Sequence, residues 1–163
     1  VATYSVTMQN QTIVADATLV IIHTESTANA SGSVIQILRA WVGNQATETS
    51  DQLGIILGTK ASAFGTYTST APSPHRLGGP ATGITGGTAG AESTSGTDAS
   101  AEGAGAVTPL IYDGFNNLNG WLWIPVPEER ITVPADTAII LKIVGTPATL
   151  TNWNAGITFQ EMT

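Results

Sequence analysis

Between Thr3 and Gln9 the chain reads TYSVTMQ, with Tyr4, Val6 and Met8 at every second position and Ser or Thr between them. Side chains of an extended strand point alternately to its two faces, so this is the pattern of a strand with one buried and one wet face. No long stretch offers the competing pattern, apolar residues at i, i+3 and i+4 among strong helix formers, while Thr, Val and Ile are abundant. The fold class this leaves is all-β.

The same reading extends along the chain. TIVADATLVIIHT, residues 12–24, predicts a turn near Asp16 followed by a strand, and SVIQILRAWVGNQ, residues 33–45, predicts a central strand, apolar on both faces. DQLGIILGT follows after a polar turn, and VTPLIYDGF, WLWIPV, ERITV, TAIILKIVG and ATLTNWNAGITFQEM supply short strands separated by Asn-Gly, Pro and Ala-Asp signals. A final strand ending in TFQE, with Ile157 and Phe159 on one face, is placed to pair with the first. About eight to nine short strands at this turn spacing describe one antiparallel β-sandwich or jelly-roll-like domain over residues 1–163.

Residues 61–105 break the pattern. They are Ser, Thr, Ala, Gly and Pro, with Phe64, Tyr67, Leu77, Ile84 and little else to bury, and GGPATGITGGTAGAESTSGTDASAEGAGA has no period. Structureless loops beyond about 12–15 residues are uncommon in compact domains, and this segment is roughly three times that length. Two readings stay open: a surface loop, or a long inserted arm that orders only against a partner because it lacks a core of its own.

Charge narrows the function. Net charge is −7, and Arg39, Lys60, Arg76, Arg130 and Lys142 are the only cations. Nucleic-acid binding needs a basic stripe, and an anionic membrane surface needs a basic cluster; neither partner is expected. The longest apolar run, LVII at residues 19–22, is far too short to span a bilayer. The start VATYSVTMQN has neither the basic flank nor the apolar core of a signal peptide and reads as the start of a soluble protein. With no cysteine there is no disulfide and no thiolate site.

A search for catalytic patterns returns little. Glu128 and Glu129 are adjacent, and neighbours in an extended chain face opposite sides, so they do not make a glycosidase pair; a solvated turn with one carboxylate on Arg130 is the simpler expectation. His23 and His75 lie in no metal-ligand spacing, and His23, at a strand end, reads as structural. There is no G-x-S-x-G elbow, the glycines of ITGGTAGAES lack a following Lys-Ser/Thr, and Asp16, Asp51, Asp98, Asp113 and Asp136 stand singly. No enzyme activity, cofactor or metal is expected. Trp121 and Trp123 share one strand face; packing is their usual fate, stacking on a sugar ring the alternative.

The run YDGFNNLNGWLWIPVPEERITVPADTAIILKI resembles the C-terminal signature of a family of tailed-phage structural proteins: an aromatic-Asn segment leading to Gly-Trp, then Pro-x-Pro-Glu-Glu-Arg-Ile and a closing apolar strand. The front half is similar more loosely, through its Tyr-Ser-Val-Thr start and a strand like IQILRAWVGNQ. The specific part is residues 115–133, and the Gly/Thr-rich insertion departs in length. The resemblance implies a virion component, a capsid decoration (cement) protein that sits as a homotrimer on the shell, binds the major capsid protein and bridges capsomers. It brings no catalytic residues. On this reading Trp121, Trp123, Pro125, Pro127, Glu128, Glu129 and Arg130 form a stiff corner beside a contact surface, and Gly78, Gly79, Pro80 and Ile84, within 78–105, contribute partner contacts. A carbohydrate- or receptor-binding sandwich from a tail fibre or adhesin is the alternative.

Overall fold

A computed structural model of the protein describes residues 2–24, 34–46, 49–67, 75–78, 84–86 and 94–162. Among these residues the secondary structure is strands plus one 3-10 turn. The first sheet runs β11(Trp121–Trp123), β3(Ile35–Asn44), β14(Trp153–Glu161), β1(Ala2–Gln11), β6(His75–Gly78), with β12(Thr132–Val133) also paired to β3. The second runs β10(Val107–Asn116), β4(Gln52–Lys60), β13(Ala138–Val144), β2(Thr18–His23), β8(Thr94–Thr97), β7(Thr85–Gly86). Pairing is antiparallel except between β7 and β8. The two sheets face each other across one core, so the chain is an all-β sandwich.

Alternation builds that core. Tyr4, Val6 and Met8 of β1 point inward beside Ala155, Ile157 and Phe159 of β14, and Tyr4 stands opposite Phe159 in the ladder with ring centroids 5.5 Å apart. From the other sheet come Leu19, Val20 and Ile22, Leu53, Ile55 and Leu57, and Ile139, Leu141 and Ile143. The pairing of the last strand with the first is as expected, and so is the turn at Asp16. That residue sits at φ 54°, accepts a hydrogen bond from Gly145 N at 2.7 Å and so closes the end of the sandwich.

β3 has neighbours on both sides, as a central strand should, but only one of its faces is buried: Arg39 is exposed and Trp41 half-buried. The strands buried on both faces are β2, in all six residues, and most of β13. What covers their outer face is the supposed arm. β5(Gly65–Tyr67) and β9(Ala99–Glu102) pair as a small third layer, and Phe64 packs on a second cluster of Ile21, Ala138 and Ile140. Residues 61–105 also supply β6 to the first sheet and β7 and β8 to the second. In its described parts, then, this segment does not project as an arm but folds onto the body. Its few apolar side chains suffice because open sheet edges offer main-chain hydrogen bonds and Ile84 reaches the main core.

Candidate functional site

The opening stretch of the signature forms one edge of the sandwich. β10 ends the second sheet, β11 begins the first, and residues 117–120 turn between them. Asn119 N and Gly120 N both donate to Asn116 O at 3.0 Å, and Gly120 takes φ 69°, where a Cβ would press on Val42 O. β11 then pairs on β3 with Trp121 opposite Val42. Trp121 is buried and donates from Nε1 to Asp113 Oδ2 of β10 at 3.1 Å, a hydrogen bond that ties the two sheets at this edge.

Strand alternation decides what the edge shows to water. Trp121, Trp123 and Pro125 turn inward, Trp123 half-buried against the core. Leu122, Ile124 and Val126 therefore turn outward and are 61%, 63% and 55% exposed. Leu110, Tyr112 and Leu118 are exposed as well, but Tyr112 lies over Gly54 and Val144 on the outer face of the second sheet, while Leu122, Ile124 and Val126 face out of the first. The row Leu122, Ile124 and Val126 is the exposed apolar strand face that stands out at this edge. Periodicity singled out the two tryptophans, which lie inside; the residues between them carry the surface.

Beyond Val126 the chain makes a 3-10 turn, Pro127–Glu129, with Pro127 at its start, where a missing N–H costs nothing. Glu128 and Glu129 are both exposed and, among the described residues, neither pairs with Arg130. That corrects the expected carboxylate–guanidinium pairing. Arg130 lies half-buried, its Nε shielded from water and without a hydrogen bond.

Of the contact residues expected within 78–105, Gly78 ends β6, whose four residues are all exposed. Gly79 and Pro80 lie outside the described residues. Ile84 is fully buried in the main core and is a packing residue, which corrects its assignment to a contact.

The charged cluster that sequence reasoning missed is structural. Lys60 closes β4 on the outer face of the second sheet at 1% exposure; its Nζ donates to Glu102 Oε1 at 2.9 Å and to Gly103 O at 3.0 Å. Glu102 Oε2 accepts from Thr18 N at 2.9 Å and Thr18 Oγ1 at 2.8 Å and stands 3.8 Å from Lys142 Nζ. This carboxylate clamps β9 to the body. Its signal was indirect: LVIIH is apolar on both faces, so something must cover it, and 61–105 was the longest text without an element. His23 is buried with its ring 4.8 Å from Phe64, and Asp51 Oδ2 caps Ala148 N at 2.6 Å. Among the described residues no three His, Cys, Asp or Glu side chains gather as a metal site.

The chain is thus an all-β sandwich with an exposed apolar row on one edge strand. Compared with protein-family models, curated proteins and solved structures, the chain matches none.

Proposed function

We propose that this chain is a structural protein of a tailed-phage virion, a capsid decoration (cement) protein that binds the outer surface of the major capsid protein shell, as a homotrimer, and stabilises it by bridging capsomers. The observation that carries the reading is the outward row Leu122, Ile124 and Val126, on an edge strand within the very stretch that resembles the phage family. An apolar row on an already paired strand suits a static contact between virion subunits, copies of this chain included, because little ordering entropy is lost on binding. The role needs no catalysis and no cofactor. The sugar-binding alternative is the weaker one, because it required an exposed Trp121 or Trp123, and these face the core.

The test is composition and binding. Purified virions of the encoding phage are expected to contain the protein in many copies, and recombinant protein is expected to bind their emptied shells and raise the shell melting temperature. Absence from the virion, or presence at a few copies, ends the proposal.

A further inference from the structure

The apolar row has a counterpart on the same sheet. β11 and β6 are its two opposite edges, four strand spacings or about 19 Å apart. β6 is exposed along its whole length and holds Leu77, 61% exposed, beside His75 and Arg76. One edge is apolar with an acidic rim, Glu128 and Glu129 standing in water; the other is apolar with a basic rim. Glu161 of β14 is buried and hydrogen-bonded to the Tyr4 hydroxyl, whereas Arg76 on β6 is exposed, so the charge that β6 shows to solvent is positive.

We propose that these two edges are partners for one another between copies of this chain: the Leu122–Val126 edge of one protomer docks on the His75–Gly78 edge of the next, Leu77 entering the apolar row and Arg76 facing Glu128 and Glu129. The inference rests on the self-association part of the function proposed above and supplies its geometry. The pairing follows from charge. Two acidic-rimmed edges placed against each other would bring four exposed carboxylates together, and like-charge juxtaposition is what an interface avoids. Acid against base is favourable, and Leu77, an exposed large apolar residue on the basic edge, is what such a contact requires. Because the two surfaces differ, the contact is head-to-tail and yields a closed ring where the rotation closes.

Light scattering after size-exclusion chromatography tests this on the intact protein. Wild type is expected to run as a ring. Leu122→Ser/Ile124→Ser, which disables one edge, and Leu77→Asp, which disables the other, are each expected to be monomeric; both change exposed side chains, and circular dichroism checks that they keep the wild-type fold. An equimolar mixture of the two variants retains one good edge of each kind and is expected to give a dimer that stops there. A monomeric wild type, a Leu77→Asp variant that still assembles, a Leu122→Ser/Ile124→Ser variant that still assembles, or a mixture that stays monomeric each overturns the proposal. Shell binding of the wild type is scored separately: shells bound by a monomer leave the virion role standing without the ring, and a ring that ignores shells does the reverse.

Discussion

Lys60 ends a strand with its ammonium almost wholly out of water, which is tolerable only because Glu102 and Gly103 O complete its surroundings. Breaking a fully buried pair from one side costs about 3–5 kcal/mol. The Glu102 side chain keeps 22% exposure and retains Lys142 and Thr18, so Lys60→Met is expected to cost less, about 2 kcal/mol, read as a fall in the urea midpoint. Glu102→Gln leaves Lys60 with a neutral partner and should cost at least as much, since the buried cation then has no counter-charge beside it. Tyr4 makes a different prediction. Burial, then the nearby Glu161 charge, raises its pKa above 10.0, with Arg76 opposing and the hydrogen bond to Glu161 adding to the rise. In the unfolded chain the phenol ionises at its ordinary value, so its contribution to stability is whole below pH 10 or so and is lost as pH climbs through the higher folded value. Alkaline titration followed by phenolate absorbance should show one tyrosine ionising late, and Tyr4→Phe should shift the alkaline unfolding transition to higher pH.

Among elements, the layer of β5 and β9 depends on close backbone approach. A Cβ on Gly105 would collide with Ser62 O and stand 2.9 Å from the Lys60 stem. Gly105→Ala is expected to push the two crossing segments apart and destabilise by about 1–3 kcal/mol. Hydrogen exchange should then quicken at Thr66 and Ala99–Glu102, while the ladder of β1 and β14 stays protected. How far such elements could be read in the sequence follows from what each rests on. β1 and β14 were legible because their alternation is local and their apolar residues are large. The turn at Asp16 was legible because Asp tolerates positive φ. The third layer was not, because β5, β6, β8 and β9 hold mainly small or polar side chains and are fixed by edge hydrogen bonds and by one ion pair between residues 42 positions apart. The contact edge was half legible: its stretch was marked by Trp, Pro and Glu, but which of its residues face water depends on which way Trp121 points, and the bond to Asp113 of the other sheet settles that.

For the whole molecule, the described parts of the insertion pack and pair with the body, and this changes how any contact made by residues 78–105 can be tested. Removing those residues does more than trim a surface. It takes Ile84 from the core, strips β8 from β2, and leaves Lys60 facing its outer sheet without Glu102. Losing a buried Ile costs about 2–5 kcal/mol, and removing β9 unpairs β5, whose neighbour Phe64 packs on Ile21 and Ile140, each worth about 1.5–3 kcal/mol of burial. Together these losses match the entire stability of a typical domain, about 5–15 kcal/mol. The chain lacking residues 78–105 is therefore expected to be unfolded or aggregated at room temperature, with no cooperative thermal transition. Leu77→Asp, which alters the same segment only at its exposed surface, should melt within a few degrees of the wild type. If the shortened chain instead melts as sharply and as high as the intact protein, the third layer contributes nothing to the fold and the ion pair of Lys60 and Glu102 is incidental.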